Sequence, residues 1–146
     1  MLNVREATPE DKEAVIKVWD DSGISQPWNE PPRDFDRAMD APGSAVLVVE
    51  DERIEAVAIA GYDGHMGWIH MMGVRPGLQG RGVGRMLADA CKDHLHNAGA
   101  TDAYLLVAPD NTNGIEFWEH LGFFKIDAPV WTVPLGDKKP FDVPRG

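Results

Sequence analysis

A chain of 146 residues holds one domain with a sizeable core and leaves no room for a second. Its formal charge of −10 argues against nucleic acid as a partner, since phosphate recognition needs a basic face; the field suits a cationic substrate, or serves solubility alone. The single cysteine, Cys91, excludes an internal disulfide, and with no Cys/His cluster at zinc spacing no metal is expected.

Leu2 to Arg5 reads as a short first strand and lacks the apolar core of a signal peptide. No apolar run reaches membrane-spanning length, so a soluble, cytoplasmic protein without a membrane partner is expected. Thr8-Pro9-Glu10-Asp11 gives an N-cap, a proline at the first helical position and first-turn acids. Ala14, Val15, Val18 and Trp19 then recur at helical spacing to about Asp21, and Gly23 ends the helix.

The loop Ser25-Gln26-Pro27-Trp28-Asn29-Glu30-Pro31-Pro32 is stiffened by prolines, and a second short helix is expected from Pro32 or Arg33 to about Met39. Trp28 is either a lid over a pocket or a plug for the core. Ala45 to Glu50 and Ile54 to Tyr62 form a hairpin, and Met66 to Val74 extends it into a three-stranded meander through the turn at Asp63-Gly64. Asp63 and His65 sit at that turn, with turn chemistry and substrate contact as the two readings.

From Val83 the residues Met86, Leu87, Ala90, Cys91, His94 or Leu95, and Ala98 line one helical face, closed by Asn97 and Gly99. Cys91 on that face is a core thiol. Ala103 to Ala108 is continuously apolar and predicts a strand covered on both faces, parallel to the one before the helix. Asn111 to Leu121 predicts a further helix stopped by Gly122, followed by two strands, Phe123 to Ile126 and Val130 to Leu135. Residues 137–146 read as an irregular tail placed to contact a neighbouring chain in a homodimer.

The densest signal lies between the fourth strand and the third long helix, Val74-Arg-Pro-Gly-Leu-Gln79-Gly80-Arg81-Gly82-Val83-Gly84-Arg85-Met-Leu87. Glycines leave backbone N–H groups unshielded where a helix begins, which makes an anion site, and two arginines add positive charge. A dinucleotide fingerprint would need glycine where Leu87 stands, and no Gly-Lys-Ser/Thr is present.

Gln79, Gly82 and Gly84, in a Gln/Arg-x-x-Gly-x-Gly/Ala pattern, resemble the pyrophosphate loop of the Gcn5-related N-acetyltransferases (GNAT). A second segment, Asn111-Thr-Asn113-Gly-Ile-Glu-Phe117-Trp118-Glu-His-Leu-Gly122-Phe123, resembles that family's Asn-x-x-Ala-x-x-x-Tyr-x-x-x-Gly-Phe stretch in the usual order. Pro27-Trp28-Asn29 and Tyr62-Asp63-Gly64-His65 are similar to a YpeA-like bacterial subgroup. The resemblance implies an α/β (α+β) fold over residues 1–136. Its sheet would be mixed and mostly antiparallel, of about seven strands splayed between the fourth and fifth, with about four flanking helices.

It further implies acetyl-CoA as cosubstrate and an amine of a small molecule or protein as acceptor. Met72, Gly73 and Val74 would pair with the pantetheine arm, the segment from Gln79 through Gly80, Arg81, Gly82, Val83 and Gly84 to Arg85 would hold the diphosphate, and Asn111, Asn113, Phe117 and Trp118 would complete the cofactor side. Trp28, Asn29, Glu30, Asp63 and His65 fall on the acceptor side. His70 stands where the family often has a carboxylate base and is either that base or a packed strand residue, with Asp63, His65 and Glu30 in reserve. Trp118 takes the place of the tyrosine acid, and its indole cannot give up a proton at useful pH. That substitution leaves open a second reading, an acyl-CoA-binding module without transfer activity.

Overall fold

A computed structural model describes residues 1–78 and 80–143. The chain forms two compact units, one of residues 1–25 and 29–106, the other of residues 26–28 and 107–146.

The first unit is a five-stranded sheet in the order β1-β2-β3-β4-β5, with β1 Asn3–Glu6, β2 Ser44–Glu50, β3 Ile54–Tyr62, β4 Gly67–Val74 and β5 Ala103–Tyr104. The first four pair antiparallel and β5 joins β4 in parallel. Short turns make the first three pairings inevitable once the β-branched runs are in place, while the parallel one needs the helical crossover between β4 and β5.

Helix α1 (Lys12–Ser22) follows a 3₁₀ turn at Pro9–Asp11 in which Thr8 and Asp11 form a capping box, and Gly23 closes it at φ 68°. Helix α2 spans Pro31–Asp40 and α3 spans Val83–Ala98. Val15, Val18 and Trp19 of α1 and Phe35 and Ala38 of α2 pack with Val46, Val48, Val57 and Ile59 into one buried cluster. Strand alternation sends the neighbouring positions to the other face, where a Cβ on Gly67 would meet Leu95 of α3 at 3.2 Å. Ala56, Ala58 and Ala60 are fully buried, and their small side chains let the long helix lie close to β3. Cys91 is buried on α3, and burial pushes its thiol up to about 12.

Two expectations are corrected. Ala103 to Ala108 enters the sheet only at its first two residues, and Phe123–Ile126 and Val130–Leu135 form no strand. The sheet therefore has five strands among the described residues rather than seven. Apolar alternation is a strand only where a neighbour takes its backbone hydrogen bonds. Phe124, Trp131 and Leu135 stand 82%, 91% and 80% exposed, without a ladder to hold them. In the second unit α4 spans Thr112–His120.

Candidate active site

Val74 ends β4 and Val83 begins α3. Between them Gly77, Gly80 and Gly82 have φ of 89°, 82° and 78°, in the left-handed region where a side chain is strained. A Cβ on Gly80 or Gly82 would meet nothing within 4 Å, so backbone conformation rather than crowding demands glycine there. Gly82 is the N-cap of α3, supplies no side chain to the first-turn N–H groups, and no acid stands in that turn. Met86 is the first residue to bond back into the helix, from its N–H to the Gly82 carbonyl at 3.0 Å. The N–H groups of Val83, Gly84 and Arg85 precede the helical ladder and face outward along the positive end of the helix dipole. Arg81 and Arg85 are exposed on either side. The arrangement fits an anion of the size and charge of a diphosphate; Gln79 lies outside the described residues.

The strand leading into this turn is irregular. His70 pairs with Ile59 and Gly73 with Val57, so Met71 and Met72 together oppose Ala58 in a β-bulge. Met71 has φ 51°, the one non-glycine residue at positive φ among those described. Its carbonyl accepts a hydrogen bond from Trp19 Nε1 at 2.6 Å, and its side chain packs against the α1/α2 core. Gly73 completes the bend: a Cβ there would come within 2.5 Å of Ser22 Oγ. Arg75, just past the strand, donates through Nε to the Ile54 carbonyl at 3.1 Å and pairs with Asp21 of α1, fixing the exit from β4 against both neighbours.

On its other edge β4 pairs with β5 only at Gly67–Ala103 and Trp68–Tyr104. Beyond Trp68 the strands part. His70 lies on the α1/α2 face, by its pairing with Ile59. Its ring stacks on Trp68 with centroids 5.7 Å apart at 8°, and Trp68 meets Tyr104 at 5.6 Å. His70 is exposed, yet desolvation by the surrounding protein pushes its pKa below the ordinary histidine value, with the Asp34 carboxylate of α2 pulling the other way. A neutral imidazole at pH 7 can accept a proton.

Of the acceptor-side residues, Glu30 is the N-cap of α2; its N–H donates to Asp34 Oδ2 at 2.7 Å and its carboxylate pairs with Arg33. Asn29 precedes it in the first unit, whereas Trp28 belongs to the second and its ring lies 5.6 Å from Phe141. Asp63 accepts from the N–H groups of His65 and Met66, both at 2.7 Å, which holds its pKa below the usual value and shapes the β3–β4 turn. In the second unit Asn111 caps α4 through Oδ1, which accepts from Gly114 N–H at 3.0 Å, and Asn113 is exposed in the first turn. Trp118 is wedged edge-on between Phe117 and Phe123, each 4.9 Å away.

Sequence reasoning missed four residues here. Strand alternation from His70 would have found Trp68 on its face, and the strand pairing brings in Tyr104. Asp34 carried only the signal of an acid in a first helical turn. The Met71 bulge had no local signal at all.

The model of the acetyltransferase (GNAT) family matches residues 12–123. A curated relative from Pectobacterium atrosepticum, Acetyltransferase ECA0875, is 32% identical over 128 residues, covering 87% of this chain and 91% of that protein. Among solved structures the fold is similar to that of AAC(6')-Iy in complex with the bisubstrate analog CoA-S-monomethyl-acetylneamine, with TM-score 0.78 and 17% identity over 92% of this chain and 98% of that one. It is also similar to the ribosomal-protein-S18-alanine N-acetyltransferase of Escherichia coli, with TM-score 0.74 and 20% identity over 86% and 79% of the two chains. The parted strands, the glycine turn at the head of α3 and these likenesses agree: the chain belongs to the GNAT acetyltransferase family.

Proposed function

We propose that the protein moves the acetyl group of acetyl-CoA directly to a primary amine. The observation that carries this reading is the parting of β4 from β5 beyond Trp68, which leaves backbone N–H and C=O groups open on the β4 edge immediately before an anion-binding helix start. Amides of a pantetheine arm satisfy such groups at Met72, Gly73 and Val74. The diphosphate then falls at residues 80–85, on the N–H groups of α3 and beside Arg81 and Arg85.

His70 is the base in this reading. An acceptor arriving as an ammonium gives one proton to the neutral imidazole. Its freed lone pair attacks the thioester carbon, the new C–N bond forms, the C–S bond breaks, and the second amine proton leaves with the thiolate as free thiol. Holding the two reactants together supplies most of the acceleration. An acyl-enzyme on Cys91 is disfavoured, because that thiol is buried and pushed up to about 12. Water relays that second proton to the leaving sulfur, so the step needs no side-chain acid.

The test is a melting-temperature shift with acetyl-CoA, compared with NAD and ATP, followed by thiol release with a panel of amines. A shift specific to acetyl-CoA and release above the hydrolysis background are expected; no shift would sink the reading. A second reading, binding without transfer, is favoured by Trp118 alone. Release at ordinary enzyme rates rules it out, and Trp118→Tyr should then raise the rate further.

A further inference from the structure

Three rings occupy one strip of the α1/α2 face. Trp68 and His70 alternate along β4, and Tyr104 stands beside Trp68 across the last paired position of β5. The Trp68 and His70 rings are nearly parallel, 8° apart, while Tyr104 tilts by 41° to form a corner. None of the three is fully buried, and none is claimed by the hydrophobic cluster beneath α1 and α2. Such rings present negative faces that attract a cation. Asp34 is the carboxylate whose charge reaches His70 from α2, and one of its oxygens is held by the Glu30 N–H at 2.7 Å. No cation among the described residues pairs with Asp34, and the net charge of −10 draws positive ligands to the molecule.

We propose that Trp68, Tyr104 and Asp34 form a cation subsite beside His70, and that the acceptor is a small diamine or polyamine. One ammonium rests on the ring corner and the carboxylate while the other nitrogen is acetylated at His70. This rests on the transfer reading above. It assigns specificity, not chemistry, to the three residues: the subsite holds a charge that persists while His70 discharges the reacting nitrogen.

The experiment compares cadaverine and spermidine with pentylamine, a monoamine of matched length, by thiol release from acetyl-CoA, in the wild type and in Asp34→Asn and Trp68→Leu. Asparagine keeps an oxygen for the Glu30 N–H, so the start of α2 is preserved. Expected are a kcat/KM at least about tenfold higher for the diamine than for pentylamine, and a rise of about tenfold in the diamine KM in Asp34→Asn with kcat nearly unchanged. Trp68→Leu should narrow the diamine preference likewise, and Asp34→Asn should lower kcat/KM for the diamine by clearly more than for pentylamine. Equal kcat/KM for the two amines, or an equal loss for both in Asp34→Asn, overturns the subsite and leaves the transfer reading standing. Absence of release from every amine, with the acetyl-CoA melting shift intact, overturns the transfer reading and the subsite together.

Discussion

Trp19 Nε1 donates to the Met71 carbonyl at 2.6 Å across 52 positions of chain, and so α1 holds the bulge of β4 from beneath. A bulge turns the strand, and a carbonyl in a left-handed residue points where no ladder partner can take it. The indole fills that role and is itself fully buried. Trp19→Phe keeps an aromatic ring but removes the donor and leaves a cavity where the rest of the indole stood. We expect a loss of at least about 1–2 kcal/mol in urea unfolding, from the acceptor left without its bond and from the cavity. The kcat/KM for thiol release should fall with it, because His70 and Met72 flank the distorted residue. Unchanged unfolding and kinetics would show that the bulge holds without α1.

Gly82 separates a conformational requirement from a ligand requirement. At φ 78° with open space around its Cβ position, it resists substitution through backbone strain alone. Gly82→Val should lower stability by about 1–2 kcal/mol and abolish the melting shift with acetyl-CoA, since the side chain covers the N–H groups of the first turn. Gly23→Ala is the control: φ is 68°, nothing lies within 4 Å, and the strain is similar, but the residue caps the far end of α1. Its shift should persist. Loss of the shift in both variants would trace it to stability rather than to the cradle.

These two positions also mark how far the sequence could be read. Gly82 was legible as the turn into α3, because a glycine run between a strand and an amphipathic helix marks where that helix begins. The β2–β3–β4 meander was legible too, from β-branched alternation broken by Asp51-Glu52-Arg53 and Asp63-Gly64. Met71 was not, because its conformation is imposed by a partner on another element and methionine has no preference for it. Phe123–Ile126 and Val130–Leu135 failed in the opposite sense: their local pattern was right for a strand, but pairing is a property of two segments, and the pattern records only one. Asp34 fell between, visible as a helix-start acid and silent about the histidine whose charged form it favours.

Acid stability should report on the opening turn of the chain. Arg5 bonds Asp11 through Nη1 at 2.7 Å and Glu50 through Nη2 at 2.9 Å, tying β1 to β2 and to the 3₁₀ turn. The Arg5 guanidinium is the main cause holding Asp11 down at about 2. A carboxyl depressed in the folded state adds stability above its unfolded pKa, about 3.9, and that contribution is lost as pH falls through the folded value. The wild type should therefore lose stability steeply between about pH 4 and pH 2. Arg5→Met should be less stable at neutral pH by about 1 kcal/mol after solvent screening, with the gap closing toward pH 2. Parallel curves in chemical unfolding across that window would mean that the ion pair contributes nothing.

The rate profile with pH isolates His70. Desolvation, the larger influence, favours the neutral ring, while Asp34 favours the charged one, and the balance lies below the ordinary histidine value. Transfer needs the neutral form, so kcat/KM should rise with pH through an acidic limb centred below that of an unperturbed histidine and hold level through neutrality until the amine itself titrates. His70→Gln should remove the limb and lower kcat by about 10²–10⁴, leaving the acetyl-CoA melting shift in place. Asp34→Asn provides the sign test: with the carboxylate charge gone, desolvation acts alone and the limb should move further toward acid. A move toward higher pH would mean that the titrating group is another residue. Persistence of the limb in His70→Gln would lead to the same conclusion.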